Sequence, residues 1–296
     1  DSERSRGLGD VYKRQIISVD SVQIYKDLNI GSGKPSNEVL KKYPHELIDF
    51  VEPTESYSTA RFQEDVIHCI KDSFEANKTP VLVGGTMMYF HHLINGISKL
   101  PSVSNQIRIE VQSEFDEKGS EEMHKYLQKI DRKSSLKIHP NDSQRIKRAI
   151  EVYKATGKEF SNWQTEQKKE INEIIGESNT LQIAIKPLDR QLHRADVAKR
   201  FLNMIDKGLV EEVERILNLK GMSINSQSMK SVGYRQVCQF LDGDYGLDDM
   251  IIKAINSTRQ LAKRQMTWIN GWDDLTLLEK NPALPSYIKN LILKNL

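Results

Sequence analysis

The chain has 296 residues, more than a single hydrophobic core usually supports, so its length predicts two domains. Its 43 Lys and Arg residues nearly balance its 41 Asp and Glu residues, and 38% of the chain is hydrophobic. This composition is typical of a soluble globular protein and excludes a basic surface spread over the whole chain. Any contact with nucleic acid must therefore come from local clusters of charge.

The cysteines and the apolar runs indicate the compartment. Cys69 and Cys238 lie far apart in the sequence and outside any spacing of zinc ligands, which argues against a disulfide framework or a structural zinc. No apolar run approaches the roughly 20 residues that a membrane span needs, and no apolar segment follows the N-terminal arginines. We therefore expect a cytoplasmic protein that makes no membrane contact.

The first fifteen residues, DSERSRGLGDVYKRQ, differ from the rest of the chain. They are polar and aperiodic, and they run into the first apolar segment without a turn signal. We interpret residues 1–15 as a non-native or disordered leader.

Short apolar runs alternate with helical patterns after the leader. The runs IISV, HELIDFV and PVLVGG are predicted strands, and STARFQEDVIHCIKDSFEAN between the last two is a predicted helix. This alternation predicts an α/β fold whose parallel sheet is flanked by helices on both faces. Ligands of such sheets bind beyond the carboxyl ends of the strands.

A charged, helix-rich stretch interrupts this pattern, and we predict an inserted all-helical domain over residues 104–179. The run LQIAIKP then restores a strand, and long helices are predicted around Asp189–Leu217 and Leu247–Ile269. The α/β core is thus predicted to be discontinuous, with residues 16–103 and 180–296.

Polar side chains follow two of the predicted strands. Asp20 comes directly after IISV, with Gln23 and Tyr25 on the loop beyond it. The strand VLVGG ends in Gly84 and Gly85, where a ligand can approach the backbone, and Thr86 opens a helix whose amides can face an anion. Each motif alone has a structural alternative, because a single acid can cap a turn and Gly-Gly is common in tight turns.

Three further segments cluster cations. NDSQRIKRAIEVY places Gln144, Arg145 and Arg148 on one helix face, and the alternative is a solvated surface. In TRQLAKRQMTW, the like charges of Arg259 and Lys263 lie one turn apart beside Arg264, an arrangement that favours a bound anion. The segment SMKSVGYRQV mixes Lys230, Tyr234 and Arg235, which is typical of a nucleotide contact or of an ordinary loop before a helix.

These segments together resemble one family, the bacterial tRNA dimethylallyltransferases. The resemblance rests on SVDSVQIYKDLNIGSGKP, VLVGGTMMYF, IHPNDSQRIKRAIEVYKATGK, SVGYRQ and TRQLAKRQMTWINGW, in the family's order, and it covers residues 16–272. It implies a P-loop-NTPase-like parallel sheet and the transfer of a dimethylallyl group from dimethylallyl diphosphate to the N6 amine of the adenosine 3′-adjacent to the anticodon.

The resemblance also implies roles for individual residues. Asp20 is the expected catalytic base, which orients the amine and takes its proton. The diphosphate is expected to bind Mg²⁺ and the cations Arg200, Arg259, Lys263 and Arg264, with no metal site made by protein ligands alone. Gly84, Gly85 and Tyr25 are expected to line the channel. The expected tRNA contacts are Asp20, Ser21, Val22, Gln23, Thr86, Arg108, Gln144, Arg145, Ile146, Lys147, Arg148, Lys230, Ser231, Val232, Gly233, Tyr234 and Arg235.

The inserted domain is expected to bind the anticodon stem-loop, and the protein is expected to be a monomer. One part of the family pattern is missing, because no phosphate-binding loop of the form G-P-T-x-x-G-K-T occurs in the 296 residues. We therefore expect tRNA binding with little or no prenyl transfer. The alternatives are a tRNA-binding protein without catalysis and a P-loop-type nucleotide kinase, which has no use for the cations of the insertion.

Overall fold

The computed structural model describes residues 14–98, 100–163, 167–168, 171, 174, 180–281 and 283–295. The chain divides into two compact units. The core unit comprises the chain up to His92 and from Ile174 onward, and the inserted unit comprises Leu93–Glu173. The predicted leader lies outside the described residues except for Arg14 and Gln15, which belong to the first strand rather than to a leader.

The strands are short and are numbered in chain order. They are β1 (Arg14–Val19), β2 (His45–Glu46), β3 (Thr79–Gly84), β4 (Ile97–Ser98), β5 (Gln167–Lys168), β6 (Ile183–Lys186) and β7 (Thr276–Glu279). In the core unit, β2, β1 and β3 form a parallel sheet in that order, and β6 and β7 form a second parallel pair. The helices that flank them are given below, and together they confirm the predicted α/β fold.

The strand predicted over HELIDFV is shorter than expected. Only His45 and Glu46 pair with β1, and Val51 adds a single bridge to Tyr25. Leu47 and Asp49 adopt positive φ angles of 59° and 60°, and these left-handed residues interrupt the extended backbone between the two pairings. The apolar pattern thus found the segment but not its conformation.

Most of the described helices lie wholly or mainly in the core unit. They are α1 (Asn37–Lys42), α2 (Thr59–Glu75), α3 (Met87–Asn95), α8 (Arg190–Asp206), α9 (Leu209–Leu217), α10 (Tyr234–Leu241), α11 (Leu247–Asn270) and α12 (Leu284–Asn295). In α2, the Ser58 side chain accepts the amide of Arg61 at the helix start, and Phe62, Val66 and Ile70 are buried. The single helix predicted over Asp189–Leu217 is two helices, because Gly208 adopts a φ of 92° between them.

The inserted unit is built mainly from helices. They are α4 (Asn105–Ile130), α5 (Arg132–Lys137), α6 (Ser143–Thr156) and α7 (Phe160–Trp163), and β4 pairs with β5 in antiparallel orientation. Gly119, at a φ of 77°, bends α4, and Gly157 ends α6 in a left-handed conformation. The core of this unit is formed by Val111, Met123, Leu127, Ile138, Ile146, Ala149 and Ile150.

A buried carboxylate joins three helices of the inserted unit. Asp131 accepts hydrogen bonds from the amide and hydroxyl of Ser134 at 3.0 and 2.6 Å and from the amide of Ser161 at 2.8 Å. Burial alone would raise the pKa of Asp131, but the hydrogen bonds from Ser134 and Ser161 lower it below its usual value. The carboxylate therefore remains charged at neutral pH and holds α4, α5 and α7 together.

Two edge strands of the core unit carry exposed apolar side chains. Among the described residues, β3 pairs only with β1, and β6 pairs only with β7. Val83 is 55% exposed and Ile185 is 49% exposed, whereas strands of parallel sheets are usually covered on both faces. Within the described part of the chain, every helix is too short or too polar to cross a bilayer.

Candidate active site

Asp20 lies at the carboxyl end of β1 and closes the turn that follows it. Its Oδ1 accepts the amides of Val22 and Gln23 at 2.8 and 3.2 Å. Its Oδ2 has no hydrogen-bond partner among the described residues, and the side chain is only partly buried. One oxygen therefore has the structural role of a turn cap, while the other can accept a proton from a ligand.

The ends of β1 and β3 are joined by polar contacts. Val19 and Gly84 are register partners in the parallel pair, so the two strands end side by side. The Thr86 hydroxyl accepts the amide of Ser21 at 3.0 Å, and the Thr86 amide donates to the Val19 carbonyl at 3.2 Å. The structure thus brings Asp20, Ser21 and Thr86 together at the edge where ligands of α/β sheets bind.

Gly84 and Gly85 are required by contacts within the protein. A Cβ at Gly84 would lie 2.0 Å from the carbonyl oxygen of Val19, and a Cβ at Gly85 would lie 2.6 Å from Nε2 of Gln265. That Nε2 donates to the Gly85 carbonyl at 2.8 Å, so α11 packs directly on the end of β3. The structure therefore explains both glycines by the close approach of backbone and Gln265, which differs from our expectation of a ligand in that space.

Gln23 and Arg200 meet the same loop, formed by residues 28–34. Gln23 Nε2 points at the carbonyl oxygens of Ser32 and Gly33, at 3.4 and 3.5 Å. A Cβ at Gly33, whose φ is 64°, would lie 2.4 Å from Nη2 of Arg200. The exposed Arg200 side chain, on α8, therefore passes directly over Gly33.

The three cations predicted on α11 have different environments. Lys263 and Arg264 are exposed, and they directly precede Gln265, whose side chain contacts Gly85. Arg259 is half-buried, and its guanidinium makes only long hydrogen bonds, to Asn256 Oδ1 at 3.5 Å and to the Arg194 carbonyl at 3.4 Å. Its Nε is buried without a partner among the described residues, which leaves a donor for an anion.

Two predicted site tyrosines lie inside the core unit instead. Tyr25 is 1% exposed and Tyr234 is fully buried. The hydroxyl of Tyr25 has no partner among the described residues, and that of Tyr234 donates to Glu212 at 2.7 Å. Because both rings are buried, a channel contact of Tyr25 or a tRNA contact of Tyr234 would have to come from the backbone, and both expected roles stay predictions.

The remaining residues of the 230–235 segment divide between surface and interior. Lys230 and Arg235 are exposed. The Ser231 hydroxyl donates to the Ser228 carbonyl, Val232 is half-buried, and the buried Gly233 donates its amide to Gln236 Oε1. The two cations are therefore the side chains of this segment that are fully available to RNA.

In the inserted unit, Arg108, Gln144 and Arg145 are exposed. The side chain of Ile146 is fully buried in the core of the unit, which leaves only its backbone for the expected tRNA contact. Two cations are bound within the unit: Lys147 donates to Gln112 at 2.7 Å, and Arg148 lies 3.5 Å from Glu151 and 3.4 Å from the Pro101 carbonyl. Of the cations on this predicted basic face, Arg145 is therefore the most available to a phosphate.

Sequence reasoning missed Glu212 and Gln265. Glu212 is buried on α9 among Leu209, Val213 and Ile216, and it accepts amides of the 28–34 loop. Its position on the apolar face of a short helix is a signal that the sequence did contain, because a buried carboxylate needs partners. Gln265 gave no such signal, since a polar residue on a long surface helix is ordinary.

The fold and the site define an α/β enzyme in which a carboxylate and a hydroxyl lie at the ends of two parallel strands, with helix α11 packed on the end of β3. A family model described as IPP transferase matches residues 23–272. The chain belongs to this family. The chain is 40% identical over 272 residues to tRNA dimethylallyltransferase 2 of Hahella chejuensis, which covers 89% of this chain and 82% of that protein.

Solved structures give the same result. The full-length tRNA isopentenylpyrophosphate transferase of Bacillus halodurans aligns with a TM-score of 0.67 at 28% identity, over 98% of this chain and 91% of that one. The tRNA isopentenylpyrophosphate transferase of Staphylococcus epidermidis aligns with a TM-score of 0.66 at 28% identity, over 100% of this chain and 95% of that one.

Proposed function

We propose that the protein transfers a dimethylallyl group from dimethylallyl diphosphate to the N6 amine of the adenosine 3′-adjacent to the anticodon in tRNA. The family supports the reaction, and the observation that carries it in this chain is the Asp20 carboxylate, whose Oδ2 accepts no hydrogen bond from the described residues, beside Thr86 at the end of β1. The target adenine must leave the base stack to reach such a site.

In the reaction, the adenine nitrogen forms a bond to the allylic carbon while the bond from that carbon to the diphosphate oxygen breaks. The amine loses one proton, which Asp20 Oδ2 would accept, since Oδ1 is already bound to the amide of Val22. The leaving diphosphate gains negative charge as the bond breaks. Arg200 and Arg259, which lie on the packed helices α8 and α11, supply donors for that charge, together with the exposed Lys263 and Arg264.

The protein oxygens at this site fit Mg²⁺ only if phosphate oxygens of the substrate complete its coordination. No cluster of three or more His, Cys, Asp or Glu side chains suited to a metal occurs among the described residues. Mg²⁺ keeps several waters and binds substrate phosphates, and the hydroxyls of Ser21 and Thr86 would add protein oxygens to that set. When bound, the ion neutralises charge on the diphosphate.

The RNA would contact exposed side chains of both units. These are Arg108, Gln144, Arg145, Lys230 and Arg235. Phosphate contacts of this kind position the RNA and do not read its sequence, so recognition of the target depends on the adenine pocket. We also propose a monomer, because Asp20, Thr86, Arg200 and Arg259 come from one unit of one chain.

The test uses radiolabelled dimethylallyl diphosphate and two anticodon stem-loops that differ only in the base 3′ of the anticodon. We expect label on the adenosine RNA and none on the matched guanosine RNA, at a low rate because the chain has no G-P-T-x-x-G-K-T sequence. Stem-loop binding without any transfer would favour a tRNA-binding protein. ATP-dependent phosphorylation of a nucleoside phosphate would favour a kinase.

A further inference from the structure

We infer that Glu212 is a positioning residue: its carboxylate fills an anion-binding nest of backbone amides in the 28–34 loop and so fixes where Gln23 and Arg200 stand. The geometry of the loop carries this inference, and only its consequence for diphosphate binding rests on the proposed function. Glu212 acts through the loop and does not itself bind either of the proposed substrates.

The carboxylate is bound as a small anion would be. Three consecutive amides converge on it, with Asn29 donating to Oε2 at 3.0 Å, Ile30 to Oε2 at 2.8 Å and Gly31 to Oε1 at 3.2 Å. Successive amides that point at one anion form a backbone nest. Glu212 is 2% exposed, so these hydrogen bonds form away from water, where a lost partner is most costly.

Tyr234 closes the nest from the other side. Its hydroxyl donates to Glu212 Oε1 at 2.7 Å and accepts the amide of Ser32 at 3.2 Å. Gly31 packs against the ring, since a Cβ there would lie 2.6 Å from Tyr234 Cε2 and 2.8 Å from Leu209 Cδ1. The Glu212 carboxylate and the Tyr234 hydroxyl therefore hold the loop against α9 and α10, and Gly31 allows the close approach because it has no side chain.

The other side of the loop faces the site. The carbonyl oxygens of Ser32 and Gly33 are the atoms that Gln23 Nε2 approaches, and Gly33 lies beneath the guanidinium of Arg200. Lys34 is also fixed, since its Nζ donates to the Tyr25 carbonyl at 2.8 Å and to Asp49 at 2.6 Å. A shift of the loop would therefore move Gly33, over which the Arg200 guanidinium lies, and would break the contacts of Gln23 with the loop carbonyls.

The first experiment measures hydrogen exchange of the 28–34 segment by mass spectrometry in the full chain. We expect Glu212→Ala to raise its exchange rate at least about tenfold, because buried amides lose their acceptor. Sodium formate, compared with sodium chloride at the same ionic strength, should restore protection by occupying the nest. The matched control is Glu211→Ala, at the exposed neighbouring position, which should alter neither measurement.

Unchanged protection in Glu212→Ala would overturn the inference, and so would a loss of protection that formate does not reverse. If Glu212→Ala does not fold, Tyr234→Phe decides instead, because it removes one of the four donors while keeping the ring. We expect it to raise exchange of the segment about twofold or more, and no increase would overturn the inference.

The second experiment measures the affinity for inorganic pyrophosphate by calorimetry. We expect Glu212→Gln to weaken binding at least about fivefold relative to Glu211→Gln, with an unchanged far-UV circular dichroism spectrum, since an amide cannot accept all four donors. Equal affinities would overturn the link from the nest to Arg200. Absence of prenyl transfer even by a version that carries a G-P-T-x-x-G-K-T loop would overturn the proposed function alone, because hydrogen exchange does not depend on activity.

Discussion

Asp20 uses its two carboxylate oxygens for different purposes. Oδ1 accepts the amides of Val22 and Gln23, while Oδ2 has no hydrogen-bond partner among the residues that the structure describes. A substitution that keeps Oδ1 as an acceptor therefore separates catalysis from folding, and asparagine does so because its amide has one oxygen.

We predict that Asp20→Asn lowers the turnover number by about 10²- to 10⁴-fold and leaves the dissociation constant for the stem-loop nearly unchanged. The reason is that a general base acts mainly in the transition state. Single-turnover transfer and filter binding measure the two quantities. Asp27→Asn is the matched control, since Asp27 is exposed and its φ of 64° suits asparagine. Equal losses in binding and turnover would make Asp20 a structural residue.

Buried tyrosines set the response to alkaline pH. Burial raises the pKa of Tyr25, Tyr57, Tyr89 and Tyr234, and in Tyr57 and Tyr234 a neighbouring carboxylate raises it further. In the unfolded chain these phenols ionise near their ordinary pKa of about 10. Their contribution to stability is therefore complete below pH 10 and is lost as the pH rises further.

We predict that the absorbance change of these four phenolates, followed at 295 nm, coincides with the loss of far-UV circular dichroism above pH 10. Tyr57→Phe should reduce the amplitude of that late change by one tyrosine. Tyr287→Phe, at an exposed position, should leave the late change as it is. Ionisation of all four rings in a chain that keeps its circular dichroism would contradict the burial of these hydroxyls.

Among the strands and helices, the sequence predicted those that depend on a local pattern of apolar and capping residues. Short apolar runs identified β1, β3 and β6, and the capped, periodic pattern identified α2. The split between α8 and α9 was not predicted, because the left-handed conformation of Gly208 has no signature beyond the residue type.

The roles of Tyr234 and Glu212 depended on contacts distant in sequence. Tyr234 stands beside exposed cations, which suggested RNA, but its ring packs on Gly31, some two hundred positions earlier, with its hydroxyl on Glu212. Pairings of this kind follow from the tertiary structure, so a single sequence does not contain them in readable form.

Helix α6 presents Arg145 differently from Arg148. The Arg145 side chain is 72% exposed and lies 3.4 Å from Asp142, whereas the guanidinium of Arg148 is divided between Glu151 and the Pro101 carbonyl. We predict that Arg145→Ala weakens stem-loop binding and lowers the slope of log K against log salt by about 1, because one phosphate contact releases its counterions. Arg148→Ala should have a smaller effect.

The control on the same helix is Lys154→Ala, since Lys154 is already paired with Glu114. Filter binding at several salt concentrations gives the slopes, and binding of pyrophosphate should be the same in all variants. An unchanged slope in Arg145→Ala would mean that this face of α6 is simply solvated.

At the scale of the whole molecule, the described strands of the core unit form two separate parallel sheets. The edge strands β3 and β6 expose Val83 and Ile185, and the phosphate-binding sequence G-P-T-x-x-G-K-T is absent from the 296 residues. In a site that contains this sequence, its backbone amides surround the diphosphate together with cations such as those of α8 and α11.

We predict that a version in which residues 1–13 are replaced by an apolar strand, G-P-T-x-x-G-K-T and a helix binds pyrophosphate more tightly than the unmodified chain and transfers the prenyl group faster. The control carries the same insertion with the loop lysine changed to alanine. Calorimetry and the labelled-donor assay measure the two effects. Equal rates in all three proteins would show that the cations alone suffice for the leaving group.

The contact between Glu212 and the 28–34 loop has a consequence for the order of events during synthesis. The loop leaves the ribosome before α9, and its anion is supplied 182 residues later, as the spacing of Ile30 and Glu212 shows. At roughly 5–20 residues per second, the loop waits about 10–40 s for that carboxylate. The loop therefore cannot be fixed beneath Arg200 on a nascent chain until α9 has emerged from the ribosome.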